Sequence, residues 1–173
     1  PMLLEDLVNT EQRPKIDEFE DHIFIVLKSL EFRSRKSEII DEQIGIVLGH
    51  NYIISFQEKM PDTFAIIKEN IKNNRGKIRK MGADYLTYAL LDSIVDRYFV
   101  TLERVGEKIG ELEEELSEEP DEDVLRQIQR FKREMLFVRK EIWPMRDVMS
   151  KLQRREFGFV RKKTEIYFRD LYD

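Results

Sequence analysis

Cysteine is absent from the 173 residues, and its absence excludes disulfide bonds and zinc sites built on thiolates. Histidine is scarce, since His22 and His50 are the only two in the chain. No apolar run approaches the ~20 residues of a membrane-spanning helix, and no signal peptide is visible. As it stands, the sequence therefore predicts a soluble chain that fits a reducing compartment.

The common signatures of enzymes are also missing. No glycine-rich phosphate loop follows a predicted strand, and neither HExxH nor GxSxG occurs. His22 begins a predicted strand, which favours a structural role for it. His50 falls in a predicted turn, which favours simple exposure to solvent. The sequence predicts a protein that is not an enzyme.

Charge, by contrast, is abundant. Charged residues make up 38% of the chain, against ~25% in an ordinary globular domain. This excess needs a large solvated surface, which long exposed helices provide. Basic runs occur at 72–80 and 154–163, but the formal net charge is −5. We interpret the runs as solvated faces and expect no nucleic-acid partner.

Three segments rich in isoleucine, valine and phenylalanine predict β-strands at 22–32, 42–49 and 52–58. Residues 49–51 predict a tight hairpin between the last two strands, and the charged segment 33–38 predicts an exposed turn. Three strands are few for an independent sheet, so we expect partner strands upstream of the sequence given. From residue 61 to about 74 the spacing becomes helical, beginning with proline and aspartate.

The strongest pattern is a pair of heptad stripes. Apolar residues step alternately by four and three through 91–116 and again through 124–152. A break at Pro120 separates the stripes, which predicts an antiparallel helical hairpin with arms roughly 45–50 Å long. Pro144, inside the second stripe, predicts a bend or one weakened turn.

The tip of this hairpin, residues 111–124, is strongly acidic. Its carboxylates belong to Glu111, Glu113, Glu114, Glu115, Glu118, Glu119, Asp121, Glu122 and Asp123. One interpretation is a solvated turn whose later acids favour the start of the second helix. The other is a surface that docks a partner or attracts cations, and the pattern leaves both open.

Two further carboxylates occupy unusual positions in the first stripe. Asp92 and Asp96 lie four residues apart in its apolar N-terminal half, where like charges destabilise a helix. Either Arg97 relieves the repulsion, or the pair contributes to a site for a hard cation. Mg²⁺ binds through one or two carboxylates and keeps several waters, so spacing alone does not establish such a site.

Several stretches of the chain together resemble the CorA magnesium and cobalt transporters. LLEDLVNTEQRPKIDEFEDHIFIVLK is similar to the family pattern LEDxxNxxQRPK-x-(E/D)-x-(F/Y). FQEK, NRGKIRKMGADYLTYALLDSIVDRYF, RKEIWPMRDV and YFRDLYD match further family stretches in the same order. The resemblance covers the whole chain and implies the later part of the family's cytoplasmic domain.

Pattern and resemblance together predict an α+β fold. We expect residues 1–82 to form the C-terminal part of the α/β domain, with a small, partly incomplete β-sheet and flanking helices. Residues 83–156 should form the long hairpin, and residues 157–173 the start of a stalk helix that is cut before the membrane. The family's N-terminal strands, two membrane helices and Gly-Met-Asn signature are missing. The resemblance therefore implies a fragment at the cytoplasmic face of a membrane channel.

The resemblance also gives four carboxylates a role. The family's regulatory sites for divalent cations lie between neighbouring subunits of a homopentamer. The matching residues are Asp6 with Asp170 of the adjacent subunit at one site, and Glu5 with Asp92 at a second. This implies that Mg²⁺, or Co²⁺ or another divalent cation, bridges subunits and favours the closed channel.

Two other functions remain open from the sequence. A zinc-transporting relative of the same superfamily would lack the same distinguishing pore residues here. A structural coiled-coil adaptor with a small α+β head would show the same heptads, and only the set of motifs argues against it. Without stalk and pore, we expect the chain to be a monomer or a weak oligomer at micromolar concentration.

Overall fold

The computed structural model describes residues 2–10, 12–58, 62–118, 121–154 and 156–173. Four strands and six helices are assigned within these residues. In chain order they are α1 (Met2–Val8), β1 (Lys15–Glu18), β2 (His22–Arg33), β3 (Glu38–Gly49), β4 (Ile53–Gln57), α2 (Ala65–Lys72), α3 (Ala83–Glu118), α4 (Glu122–Ile142), α5 (Met145–Gln153) and α6 (Glu165–Tyr172). This mixture of one sheet and several helices confirms the predicted α+β class.

The sheet is antiparallel with the strand order β1-β2-β3-β4. Strands β2 and β3 are 12 residues each and pair along their whole length, from His22 opposite Gly49 to Arg33 opposite Glu38. The three predicted strands and the hairpin at 49–51 are confirmed. Strand β1 was not predicted, because Ile16 is its only apolar residue and four residues carry too little alternation to be recognised.

The two faces of the sheet carry separate apolar clusters. On one face, Ile23, Ile25 and Leu27 of β2 pack in the main core with residues of α3, α5 and α6. On the other face, Phe24 and Val26 form a small cluster with Val47 of β3, against which Leu7 of α1 and Phe19 pack. The sheet therefore lies between α1 and the α3–α6 layer.

Helix α1 approaches the sheet closely at a glycine of β3. A Cβ atom on Gly45 would lie 2.6 Å from a methyl carbon of Leu7 and 3.2 Å from the ring of Phe24. The absence of a side chain at this position lets the helix lie directly on the strand. The contact fixes Glu5 and Asp6, which α1 carries, on this side of the sheet.

The predicted hairpin is confirmed. Helix α3 has 36 residues, and at ~1.5 Å per residue it spans about 54 Å. Its stripe packs against α4, and every seventh residue is fully buried: Val105 and Leu112 on α3, and Val124, Phe131 and Val138 on α4. No helix in the described part of the chain is both long and apolar enough to cross a membrane.

Two of the predicted helix breaks, at Pro144 and at residues 74–76, lie within the described residues. Helix α4 ends at Ile142 and α5 begins at Met145, and Trp143 and Pro144 between them keep right-handed helical backbone angles, so the helical path is interrupted for two residues at the predicted position. Asn74 and Gly76 have φ angles of 53° and 69°, which confirms the break after α2. The predicted helix start at Pro61 and the break at Pro120 lie outside the described residues.

Of the acidic tip, Glu119 and the side chain of Glu118 also fall outside the described part of the structure. The remaining acids of the tip are exposed, and they are Glu111, Glu113, Glu114, Glu115, Asp121, Glu122 and Asp123. The carboxylate of Asp121 accepts a hydrogen bond from the main-chain N–H of Asp123 at 3.0 Å, which caps the start of α4. This part of the tip therefore forms a capped, solvated turn. The alternative role of the tip, as a surface that docks a partner or attracts cations, stays a prediction.

Candidate metal site

Asp6 lies on α1 and is already engaged within its own chain. Its carboxylate accepts hydrogen bonds from Lys15 Nζ at 2.8 Å and from Gln12 Nε2 at 2.5 Å, and its side chain is 17% exposed. These two bonds, that from Lys15 first, hold the pKa of Asp6 below its usual value. The carboxylate is therefore ionised at neutral pH, and a metal ion must compete with the ammonium group of Lys15.

Glu5 precedes Asp6 on the same helix and is exposed to solvent. The main-chain carbonyl of Asp6 accepts a hydrogen bond from Gln43 Nε2 at 3.1 Å, which fastens α1 to β3. Because of this bond and the contact at Gly45, the two acids sit on a helix that is held in place. They form a pair of carboxylates on the side of the sheet that faces away from the main core.

Asp92 lies on α3 on the opposite side of the sheet, in a half-buried position. Burial and then the negative charge of Asp96 raise the pKa of Asp92, while a hydrogen bond from Tyr88 opposes this rise. In the described part of the chain, no ion pair joins Arg97 to either aspartate, and Arg97 is not among the groups that shift the pKa of Asp92. The charge of Asp92 is therefore costly when no cation is bound.

Asp170 lies on α6 and is exposed, close to the same tyrosine. Burial, then Asp92 and more weakly Asp170, raise the pKa of Tyr88 to about 12. The rings of Tyr88 and Tyr167 are 5.1 Å apart and join α3 to α6 beside these acids. One chain thus brings both Asp92 and Asp170 close to Tyr88.

The four predicted ligands therefore divide into two pairs. Glu5 and Asp6 are on α1, which covers one face of the sheet, whereas Asp92 and Asp170 are in the layer on the other face. Among the described residues, no three acidic or imidazole side chains of one chain come together in a way that could hold a metal ion. A site that combines Asp6 with Asp170 would need a second chain.

A further carboxylate, which sequence reasoning missed, fixes the position of α6 relative to α3. The side chain of Asp84 is 1% exposed and accepts hydrogen bonds from Arg161 N at 3.0 Å, Arg161 Nε at 3.0 Å and Thr164 Oγ1 at 2.6 Å. A terminal nitrogen of the Arg161 guanidinium also contacts it. This cluster holds the first turn of α3 against the segment that leads into α6, and so it places Asp92 relative to Asp170.

Gly82 makes room for this cluster. A Cβ atom at residue 82 would lie 1.5 Å from a terminal nitrogen of Arg161, so any side chain would displace the guanidinium. In the sequence, Asp84 looks like an ordinary acid in the first turn of a helix, which favours the helix dipole. Gly82, two residues earlier, was the available signal, because a glycine there can mark a close approach.

A comparison with protein families decides which family these features belong to. The family model described as CorA-like Mg2+ transporter protein matches residues 1–173. The chain belongs to this CorA-like family. The resemblance predicted from the motifs is thereby confirmed.

Curated CorA relatives extend well beyond this chain. Cobalt/magnesium transport protein CorA of Thermotoga maritima is 44% identical over 173 residues, which are 100% of this chain and 49% of that protein. The protein of the same name from Methanocaldococcus jannaschii is 23% identical over 166 residues, 95% of this chain and 51% of that protein. The chain spans about half the length of these CorA proteins.

Solved structures match the CorA fold described above. The soluble domain of CorA from Methanocaldococcus jannaschii superposes with a TM-score of 0.84 at 23% identity, covering 98% of this chain and 67% of that one. The ZntB cytoplasmic domain from Vibrio parahaemolyticus gives a TM-score of 0.71 at 15% identity, covering 99% and 69%. These likenesses show that the fold is shared by both.

The raised pKa of Asp92 gives a prediction for stability against pH. In the metal-free chain, its charge destabilises the fold above the raised pKa. It has no effect below the ordinary value of about 3.9, where the carboxyl is protonated in both states. Asp92→Asn should therefore raise the free energy of unfolding at pH 7 by roughly 0.5–1 kcal/mol, and this gain should vanish near pH 2. Urea denaturation at both pH values measures the difference.

Asp96→Asn is the matched control for this change. It removes the same repulsion between the two aspartates, but Asp96 is exposed, so no buried charge is relieved. The gain at pH 7 should be smaller than for Asp92→Asn. Equal gains for the two variants, or a gain for Asp92→Asn that persists at low pH, would contradict the described environment of Asp92.

Proposed function

We propose that this chain is the cytosolic, cation-sensing part of a magnesium and cobalt channel of the CorA type. The observation that carries the proposal is the 44% identity to Thermotoga maritima CorA over the complete chain. Residues 1–82 would form the end of the α/β domain, 83–156 the hairpin and 157–173 the beginning of the stalk. Mg²⁺ and Co²⁺ would be the transported ions, and the assembly in the membrane would be a homopentamer.

The sensing mechanism rests on carboxylates that face one another across subunits. Asp6 of one subunit and Asp170 of its neighbour would share one ion, and Glu5 and Asp92 would contribute to a second. Without a metal ion these groups repel, and with Mg²⁺ bound between them they hold the subunits in one packing. A fall in cytosolic Mg²⁺ would remove the bridge and release the closed state.

The surroundings of the proposed ligands support cation binding at both sites. Asp6 is ionised because its pKa is lowered, so it can bind a cation at neutral pH without first losing a proton. Asp92 is half-buried beside Asp96, and a divalent cation would relieve a charge that is otherwise costly. Lys15 must leave Asp6 when the metal binds, which lowers the affinity. We expect binding in the isolated chain on the order of millimolar.

A second candidate is a zinc-transporting relative with the same cytosolic architecture. The fold shared with the ZntB cytoplasmic domain, at a TM-score of 0.71, is compatible with this second candidate. It differs in the ion that would occupy the site, since zinc prefers nitrogen and sulfur ligands as well as carboxylates. A coiled-coil adaptor is less well supported, because the heptads alone suggested it and the chain belongs to a family of ion transporters.

Sedimentation velocity of the 173-residue chain with Mg²⁺, Co²⁺ or Zn²⁺ tests the proposal. Metal binding across subunits must promote association by linkage, so Mg²⁺ and Co²⁺ at millimolar concentration should raise the sedimentation coefficient. The double variant Asp6→Ala/Asp170→Ala should lose this response, and Asp96→Ala should keep most of it. A response to Zn²⁺ alone would favour the zinc transporter, and no response to any ion would reject the sensor.

A further inference from the structure

A cavity of about 440 Å³ opens between the sheet and the C-terminal end of α4. It shares no residue with the four carboxylates proposed to bind metal. Its wall is mostly charged and includes one aromatic ring, and the side chains that matter are Lys28, Asp41, Glu58, Phe137, Lys140 and Glu141. Its size is in the range of sites that bind small molecules.

Glu141 is the unusual residue of this cavity. It lies in the last turn of α4, where the negative end of the helix dipole disfavours a carboxylate, and it is only 7% exposed. In the described part of the chain, no residue donates a hydrogen bond to its carboxylate or forms an ion pair with it. Its carboxylate is not one of the fully enclosed polar atoms, and the residue lines the cavity, so the groups that can meet this charge are water or a ligand inside the cavity.

The groups that could have paired with Glu141 are committed elsewhere. The Lys28 ammonium donates to the main-chain oxygen of Thr10 at 2.5 Å and to Asp41 at 2.8 Å. The hydroxyl of Tyr98 donates to the main-chain oxygen of Lys28. Burial and then the charge of Glu141 raise the pKa of Tyr98, so this phenol stays protonated and keeps its hydrogen bond to Lys28.

The chemistry of the wall selects an ammonium group over a metal ion. Among the described lining residues, Asp41 is already paired with Lys28, so Glu141 offers a single negative charge, which one singly charged group neutralises and a divalent ion would exceed. No three carboxylates among the described residues are arranged to hold a metal. The ring of Phe137 lies on the same wall, and aromatic faces attract organic cations. A carboxylate beside an aromatic ring is a favourable receptor for a protonated amine.

We propose that this cavity binds a small molecule through its primary ammonium group, with Glu141 as the anionic partner. Two sources of that group are compatible with the wall. In an amino acid, the carboxylate at the other end would face Lys140, an exposed cation at the mouth of the cavity. In a diamine, the second ammonium would remain in solvent. In both cases the ammonium group of the ligand would donate a hydrogen bond to the carboxylate of Glu141, which receives none from the described part of the chain.

Calorimetric titration of the 173-residue chain at pH 7 with three matched four-carbon probes tests the proposal. 4-Aminobutyrate carries an ammonium and a carboxylate, putrescine carries two ammonium groups, and butyrate carries only the carboxylate. We expect binding of at least one of the two amines and none of butyrate. Lys140→Gln should weaken 4-aminobutyrate at least threefold and leave putrescine unchanged, which distinguishes the two sources.

Glu141→Gln is the decisive variant, because the amide keeps the shape and removes the charge. It should weaken binding of the amine at least tenfold, while the thermal midpoint of the unliganded chain stays the same or rises. Glu122→Gln, the same change at an exposed position of α4, should alter neither property. Failure of both amines to bind, binding of butyrate as tight as that of the amines, or unchanged binding to Glu141→Gln would overturn the proposal. So would Mg²⁺ binding that Glu141→Gln removes.

Discussion

Replacing Asp84 with alanine should lower the free energy of unfolding by about 3 kcal/mol, near the lower end for a broken buried ion pair. The variant leaves the Thr164 hydroxyl and the main-chain N–H of Arg161 without their acceptor. The guanidinium of Arg161 is 48% exposed and can be solvated again, which keeps the loss from being larger. Urea denaturation followed by circular dichroism gives the value directly.

The pH dependence of this variant identifies the cause. Burial raises the pKa of Asp84, but hydrogen bonds from Arg161 and Thr164 outweigh it and hold the pKa below its usual value. The stabilisation is therefore present above the ordinary pKa of about 3.9 and is lost as the pH falls through the lower folded value. The difference between the unmodified chain and Asp84→Ala should shrink across this acidic range.

Asp123→Ala is a matched control for Asp84→Ala. Asp123 also pairs with an arginine, Arg126, but both side chains are more than two-thirds exposed, at 71% and 67%. An exposed pair contributes less than about 1 kcal/mol, so this variant should be close to the unmodified chain. Equal losses for Asp84→Ala and Asp123→Ala would mean that burial does not distinguish the two pairs, against our description of the Asp84 cluster.

Val105→Asp should destabilise the chain by about 3 kcal/mol or more, because it removes apolar contacts and places a charge in the interface between α3 and α4. Val105 is 1% exposed and belongs to the cluster that joins α3, α4 and the end of β2. Nothing in that cluster can pair with a carboxylate, since its members are all apolar. Thermal denaturation at neutral pH measures the loss.

Glu114→Lys provides the comparison within the same helix. Glu114 is exposed near the tip, and its replacement should shift stability by no more than about 0.5 kcal/mol. A large loss for Val105→Asp and a small one for Glu114→Lys is the pattern that a packed hairpin with a solvated tip requires. Comparable thermal midpoints for the two variants would argue that the interface between α3 and α4 does not contribute to folding.

Much of this fold could be predicted because the hydrophobic pattern was long and regular. The heptad stripes continue for several turns, and a sustained period of that kind leaves few alternatives to a helical hairpin. Strands β2 and β3 were recognised because their isoleucine and valine residues alternate between two apolar faces. Phe32, at the end of β2, is also apolar and packs in the cluster between α3 and α4.

The unpredicted features depend on contacts between residues distant in sequence. Strand β1 exists because β2 offers an edge, and its own four residues carry no clear signal. Asp84 meets Arg161 across 77 positions, and only the folded chain reveals that this acid is buried. Likewise, Glu141 looked like one of many charges on a helix, and its burial without a partner comes from packing against the sheet.

The candidate metal site shows the same limit in another form. Family resemblance singled out Glu5, Asp6, Asp92 and Asp170, but spacing could not say which of them share a side of the chain. The layered structure separates the first two from the last two and adds Lys15 as a competitor at Asp6. The proposed bridge would therefore join two chains, with Asp6 supplied by one chain and Asp170 by the other.

Mixing two single variants tests this intermolecular bridge most directly. Asp6→Ala and Asp170→Ala should each lose most of the Mg²⁺-dependent rise in sedimentation coefficient when studied alone. In an equimolar mixture, the intact Asp170 of the first variant can meet the intact Asp6 of the second, so we predict that Mg²⁺ restores association in pairs. Addition of EDTA should reverse it. If the mixture responds no more than the separate variants do, or if either variant alone responds like the unmodified chain, Mg²⁺ does not bridge Asp6 and Asp170 between subunits.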